Sequence, residues 1–102
     1  MYQTLLTIFE DQIFTITINR PDKLNAINDT VMTELAMAID EVYTNDEIKS
    51  AIITGAGTKA FVAGADISEF LGLSIEEGKA KAQKGQDTFK KIEDCGKPVV
   101  AA

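Results

Sequence analysis

The sequence of 102 residues contains no histidine and no tryptophan, and it has a single cysteine, Cys95. Without histidine these residues cannot form a Ser-His-Asp triad, a Cys-His pair or a histidine metal site. One cysteine cannot form a disulfide within the chain, which is typical of a reducing compartment. Chemistry carried by these residues must therefore use other groups, and we expect no metal.

A basic surface is also lacking. The chain has 10 Lys and Arg residues against 16 Asp and Glu residues, a formal net charge of -6. Because nucleic-acid binding needs a positively charged footprint, we expect no nucleic-acid partner. No apolar run approaches the roughly 20 residues of a membrane helix, and the acidic start "MYQTLLTIFEDQ" does not resemble a signal peptide. We expect a cytoplasmic protein without a membrane partner.

What the sequence does contain is an alternation of strand-like and helix-like segments. Leu5 to Phe9 and Ile13 to Ile18 are rich in β-branched residues and predict a hairpin. Apolar residues at helical spacing predict a helix over Asp29 to Thr44, with Asn28 as its N-cap. The continuous apolar run "SAIITG" predicts a strand buried on both faces. This order indicates an α/β fold, a mixed sheet with covering helices.

A second helix is predicted to begin after Ser74, because "SIEE" has the capping-box pattern, with Glu77 three residues later. Gly78 and Gly85 lie inside it, where each costs about 1 kcal/mol relative to Ala, unless it allows close packing. The lysines of this helix, Lys84 among them, predict a solvated face. The apolar ending "GKPVVAA" predicts a further strand, and we interpret the chain as the N-terminal part of a longer protein.

Three segments are candidate binding sites. The first, "GAGTKA" (Gly55 to Ala60), matches a dinucleotide fingerprint after a predicted strand. Such a site needs a helix to open at once, and Phe61, Val62 and Gly64 disfavour one. A strand-ending turn explains the glycines equally simply. The second candidate, "RPDKLNA" (Arg20 to Ala26), is a polar turn whose backbone could line a ligand groove.

The third segment, "AGADISEF", places three small residues before an acid. Gly64 and Ala65 would let a ligand approach the main chain closely. If a helical turn begins at Asp66, its unpaired amides suit an oxyanion such as the enolate of a thioester. An ordinary strand-to-helix connection remains the alternative from the residues alone.

Taken together, these pieces resemble the crotonase (enoyl-CoA hydratase/isomerase) family. The residues that carry the resemblance, in the family's order and spacing, are "NRPDKLNAIN" (Asn19 to Asn28), "AIITGAGTKAFVAGADISEF" (Ala51 to Phe70) and "KPVVAA" (Lys97 to Ala102). The resemblance implies a crotonase-like (ClpP/crotonase) fold, with residues 1–102 as the N-terminal part of a single domain, truncated before the catalytic glutamates. It implies an enoyl-CoA hydratase, which adds water across the 2,3 double bond through a stabilised enolate.

The resemblance also implies a set of substrate residues. Family members hold the enolate oxygen between two backbone amides, and the first maps onto Ala65. Three residues would line the acyl and pantetheine path: Ala63, Asp66 and Ile67. Three others would flank the coenzyme A (CoA) moiety, mostly through main-chain contacts: Lys23, Leu24 and Ala26.

Other family features lie outside these residues. In the family, the segment after "KPVVAA" bears the second amide and the glutamates that transfer protons. Glu69, Glu76 and Glu77 do not occupy those positions, and we expect them to be surface and capping residues. The resemblance implies no cofactor beyond the CoA of the substrate, and a homo-oligomer, trimer or hexamer, for the full-length parent.

The reaction itself has alternatives. Within the family, these are double-bond isomerisation or another acyl-CoA reaction. The catalytic acids that distinguish these reactions from hydration are not among these residues. Outside the family stand a small dinucleotide-binding unit and a non-catalytic interaction domain.

Overall fold

The fold is that of a computed structural model, which describes residues 2–57, 62, 64, 69 and 71–102. Four strands form one sheet in the order β1-β2-β3-β4. The strands are β1 (Leu5–Glu10), β2 (Ile13–Ile18), β3 (Ser50–Gly55) and β4 (Val99–Ala101). Helices α1 (Asp29–Thr44) and α2 (Ile75–Glu93) connect the last three strands. The first pair is antiparallel and the other two are parallel, so the expected mixed sheet and α/β class are confirmed.

The first two strands form the predicted hairpin. Its turn residues, Asp11 and Gln12, have φ values of 54° and 67°, the two-residue turn geometry that matches the twist of the flanking strands. Leu5 pairs with Ile18 at the open end of the hairpin. Strand β1 runs one residue further than predicted, to Glu10.

Helix α1 covers one face of the sheet, and its bounds are those predicted. The side chain of its N-cap, Asn28, accepts a hydrogen bond from the amide of Val31 at 2.8 Å. The apolar residues that defined its periodicity are all buried: Val31, Leu35, Ile39 and Val42. They share a core with the buried residues of β2, which are Phe14, Ile16 and Ile18. Full burial of such side chains contributes about 1.5–3 kcal/mol each, so this layer is the main source of stability.

The opposite face of the sheet is not covered by any described element. Leu6 is 54% exposed, Ile8 is 60% exposed and Val100 is 55% exposed. Along β3, Ala51 is buried but Ile52 is only half-buried. Within the described residues α1 covers one face of β3 alone, so burial of the second face stays a prediction.

Helix α2 packs mainly on α1. Its predicted capping box is present: the Ser74 hydroxyl accepts from the Glu77 amide at 3.1 Å, and the Glu77 carboxylate accepts from the Ser74 amide at 3.0 Å. A Cβ on Gly85 would lie 3.3 Å from Cε of Met32, whereas one on Gly78 would have no neighbour within 4 Å. The missing side chain of Gly85 therefore allows α2 to pack closely on α1, whereas Gly78 has no such packing role.

The start of the "KPVVAA" segment is fastened to α1. The Lys97 ammonium donates hydrogen bonds to the carbonyl oxygens of Val42 and Asn45. These carbonyls lie at the C-terminal end of α1, where a cation is favourable. No helix formed by the described residues combines the length and apolarity that crossing a bilayer requires.

Candidate functional site

The loop before α1 is held in shape by a buried asparagine. The segment forms a short 3-10 turn, Pro21–Lys23, followed by Leu24 and Asn25 with φ values of 52° and 58°. Asn25 is only 1% exposed. Its side chain accepts from the amide of Arg20 at 2.9 Å and donates to the carbonyl of Ala56 at 2.9 Å. This residue therefore ties "RPDKLNA" to the end of β3.

Three residues of this loop are the ones expected to flank CoA. Lys23 and Leu24 are exposed, and Ala26 is half-buried. The Lys23 carbonyl accepts from the Ala26 amide at 3.0 Å, and the Arg20 guanidinium donates to the Ala26 carbonyl. The main chain expected to contact CoA is thus fixed by internal hydrogen bonds, while the CoA contacts themselves remain a prediction.

The same loop meets the "GADISEF" segment at the start of α1. The amide of Ile27 donates to the Gly64 carbonyl at 2.7 Å. Two residues later, the amide of Asp29 donates to Oε1 of Glu69 at 2.8 Å. Gly64 has a φ of 121° and open space where a Cβ would lie. The "GADISEF" segment is therefore hydrogen-bonded to the chain at the start of α1 through Ile27 and Asp29.

Part of the predicted site lies outside the described residues. These residues are Ala63, Ala65, Asp66 and Ile67. Their roles at the thioester, and the helical turn expected to begin at Asp66, therefore remain predictions. The described residues on either side, Gly64 and Glu69, fix where the segment enters and leaves.

A groove of about 450 Å³ lies between the start of α1 and one face of α2. Gly64 and Glu69 line it, together with the apolar side chains of Ile27, Met32, Val62 and Phe89. On α2, residues 81, 85 and 89 all line the groove, and their spacing of four places them on one helix face. We did not predict Met32 and Phe89 as site residues. The four-residue spacing on α2 is the signal that could have found its contribution.

Charged side chains surround the groove. Nζ of Lys81 lies 3.3 Å from Oε1 of Glu69. Nζ of Lys84 lies 2.7 Å from Oδ1 of Asp29 and donates to the Thr33 hydroxyl at 2.7 Å. The hydrogen bond from Lys84 holds the pKa of Asp29 below its ordinary value. The Lys84 side chain is 42% exposed, as its predicted place on a solvated face implies, but its contact with Asp29 was not predicted, because it depends on how α2 lies against α1.

The three glutamates behave as surface and capping residues, as predicted. Glu69 accepts from the first helical amide of α1, Glu77 completes the capping box of α2, and Glu76 is exposed. Within the described part of the chain, no group of Cys, Asp or Glu side chains is arranged to hold a metal ion.

The geometry does not support a dinucleotide site at "GAGTKA". None of the described residues between Gly55 and Gly64 is helical, whereas the fingerprint needs a helix N-terminus there. Gly57 has a φ of 85°, and a Cβ on it would lie 3.6 Å from Cβ of Pro21. The glycine serves a turn that approaches the "RPDKLNA" loop.

Comparison with known proteins agrees with this arrangement. A family model described as enoyl-CoA hydratase/isomerase matches residues 9–102. The chain is 42% identical over 93 residues to a short-chain-enoyl-CoA hydratase of Clostridium acetobutylicum, covering 91% of this chain and 36% of that protein. It is 38% identical over 101 residues to a crotonyl-CoA hydratase of Syntrophomonas wolfei, covering 99% and 39%. The chain belongs to the enoyl-CoA hydratase/isomerase (crotonase) family.

Solved structures give the same fold. A crystal structure of an enoyl-CoA hydratase/carnithine racemase from Magnetospirillum magneticum matches with a TM-score of 0.92 and 36% identity, over 99% of this chain and 39% of that one. An enoyl-CoA hydratase from Bacillus anthracis matches with a TM-score of 0.91 and 27% identity, over 97% and 39%. The chain thus has a crotonase-like fold and spans under two fifths of the length of each of these relatives.

Proposed function

We propose that the full-length protein containing this chain is an enoyl-CoA hydratase that acts on the 2,3 double bond of an enoyl-CoA thioester. The carrying observation is the hydrogen bond from Ile27 to Gly64, which joins two of the segments that carry the family resemblance beside an apolar groove. Similarity to relatives named as hydratases supports the choice of reaction. Residues 1–102 would be the N-terminal part of the single catalytic domain.

The proposed chemistry places negative charge on the thioester oxygen. The oxygen of water bonds to C3 while one of its protons passes to a glutamate, the electrons of the C2=C3 double bond move toward the carbonyl, and an enolate forms. The amide of Ala65 donates to that oxygen, with a second amide supplied by the segment that follows "KPVVAA" in the family. A proton then bonds to C2 and the carbonyl is restored. Glutamates of that later segment would transfer the protons, because Glu69, Glu76 and Glu77 do not occupy the positions of the family's catalytic acids.

The substrate would lie along both joined segments. Ile27, Met32, Val62 and Phe89 provide apolar surface that suits part of an acyl chain, with Ala63, Asp66 and Ile67 lining its approach. Lys23, Leu24 and Ala26 would flank CoA. We further propose a cytoplasmic homo-oligomer, trimeric or hexameric, that uses no cofactor beyond the CoA of the substrate.

Replacement of the oxyanion amide tests this proposal. In the full-length protein, Ala65→Pro removes the donor, and we expect kcat for crotonyl-CoA hydration to fall by about 100-fold or more. The measurement is loss of the conjugated thioester absorbance. The matched control is Lys79→Ala, on an exposed part of α2, which should keep the wild-type rate.

Circular dichroism must show that the Ala65→Pro protein is folded. Wild-type turnover in that folded variant would contradict the assignment of Ala65. If the wild-type protein moves the double bond of a 3-enoyl-CoA but adds no water to crotonyl-CoA, the protein is an isomerase and the hydratase proposal is wrong.

A further inference from the structure

Glu69 lies where three parts of the chain meet. Its carboxylate accepts a hydrogen bond from the first helical amide of α1, that of Asp29, at 2.8 Å. The same oxygen lies 3.3 Å from Nζ of Lys81 on α2. The side chains of Glu69 and Lys81 are only 28% and 22% exposed. Partial burial makes such a charge-assisted contact stronger than one in open solvent.

The contact of Glu69 has a counterpart at Gly64. The Gly64 carbonyl is held by the amide of Ile27 at 2.7 Å, only two residues before Asp29. Four residues separate Gly64 from Glu69, and Ala65 is the first of them. Gly64 and Glu69, on either side of this segment, therefore both form hydrogen bonds with the start of α1.

We propose that Glu69 is a positioning residue: by accepting from Asp29 and pairing with Lys81, it fixes the C-terminal end of the segment 64–69, which carries the Ala65 amide. This inference rests on the proposed role of that amide at the thioester oxygen. We assign Glu69 no contact with the reacting atoms and no transferred proton. Its carboxylate suits the task because the amides at a helix start are unpaired and favour an anion.

Positioning matters because a misplacement of about 1 Å at a reacting centre can cost about 100-fold in rate. Loss of the anchor leaves the Ala65 amide in the chain but no longer restrains it from both ends. We therefore expect a fall in kcat that is smaller than that of Ala65→Pro, with little change in KM.

The first test removes the donor of the anchor and leaves the helix intact. Asp29 is the first residue of α1, where proline is well tolerated, and Asn28 before it is extended (φ -102°, ψ -177°), as a residue before proline prefers. Asp29→Pro removes the amide hydrogen, and Asp29→Ala keeps it; both lose the contact with Lys84. We expect kcat of the full-length Asp29→Pro protein to be about 10-fold below that of Asp29→Ala, with KM values within about 3-fold.

The second test varies the acceptor. Glu69→Ala removes it and should lower kcat about 10-fold, whereas Glu69→Gln keeps an oxygen that can accept from Asp29 and should recover most of that loss. Lys81→Met removes the ion pairs of Lys81 with Glu69 and Asp29 but keeps the hydrogen bond from the Asp29 amide, and it should have a smaller effect than Glu69→Ala. Equal kcat values for Glu69→Ala and Glu69→Gln, or for Asp29→Pro and Asp29→Ala, would overturn the proposal.

A measurement without substrate separates this inference from the proposed function. Hydrogen exchange of the full-length protein, followed in peptides covering residues 62–70, should be faster in Asp29→Pro than in Asp29→Ala, and faster in Glu69→Ala than in wild type. If the wild-type protein proves inactive on enoyl-CoA, faster exchange would still support anchoring by Glu69 while the proposed function fails. Unchanged exchange in both variants would overturn the anchoring.

Discussion

Helices α1 and α2 are of similar length, 16 and 19 residues, but they are held in place by different forces. Six residues of α1 are buried, whereas α2 buries only Thr88. Contacts from α2 to α1 include ion pairs, such as Lys91 to Asp40 at 3.0 Å. Helix α1 is therefore the buried scaffold of the site, whereas α2 lines the groove and is held to α1 by weaker, more exposed contacts.

The largest expected effect is the loss of stability when the burial of α1 is reduced. Ile39 is fully buried, and Ile39→Ala should lower the free energy of unfolding of the full-length protein by about 2–5 kcal/mol. On α2, Lys91→Met removes a solvent-exposed ion pair and should change it by less than about 1 kcal/mol. Denaturant unfolding of both variants measures the contrast. Equal losses would mean that α2 contributes to the fold as much as α1 does.

An effect of intermediate size is the pH dependence of the unfolding free energy that Glu34 of α1 contributes. Glu34 is 8% exposed and accepts from the amides of Gln3 and Thr4 at 2.6 and 2.7 Å and from the Thr4 hydroxyl. Burial opposes ionisation of Glu34, but these hydrogen bonds outweigh it and hold the pKa of its carboxyl below the ordinary 4.5. The unfolded chain therefore binds more protons below pH 4.5, so the contribution of Glu34 is present above that pH and is lost as the pH falls through the lowered pKa.

The variant Glu34→Gln tests this prediction. Near neutral pH it should lose about 1–3 kcal/mol of unfolding free energy, since an uncharged acceptor replaces a carboxylate that accepts three hydrogen bonds. The difference from wild type should shrink as the pH falls below 4.5. Thermal unfolding across this range is the measurement. A difference that stays constant with pH would show that folding does not lower the pKa of the Glu34 carboxyl.

The smallest expected effect is the change in stability when a glycine of α2 is replaced by alanine. Gly78→Ala fills open space and should stabilise the protein by about 0.5–1 kcal/mol through helix propensity. Gly85→Ala should gain less, because its Cβ would lie 3.3 Å from Cε of Met32. Paired thermal melts of the two variants decide this. A larger gain from Gly85→Ala would mean that α1 and α2 are not closely packed at the groove.

The local elements could be predicted from the sequence because their signals are local. Helix α1 begins and ends as predicted, since Asn28 caps a periodic apolar pattern. The capping box of α2 follows from Ser74 and Glu77 alone. Burial on the second face of β3 stays a prediction, because it depends on what packs there, which a run of apolar residues does not specify.

The site was only partly predictable for a related reason. The motifs identified the segments, but the bond from Ile27 to Gly64 joins residues 37 positions apart, and no spacing in the sequence specifies such a pair. The pairing of Lys84 with Asp29 was missed for the same reason, because it depends on how α2 lies on α1. Lys97 at the end of α1 is a third non-local contact.

Polarisation of the thioester by the Ala65 amide can be measured from the vibrational frequency of a bound thioester carbonyl. Butyryl-CoA has no double bond to hydrate, so it can be studied in complex with the full-length protein. Backbone donors that stabilise an enolate also polarise the ground-state carbonyl. We expect a lower carbonyl stretching frequency on binding to the wild-type protein, and a smaller shift in folded Ala65→Pro. A bound carbonyl with the frequency that it has in water, or the same shift in both proteins, would contradict this expectation.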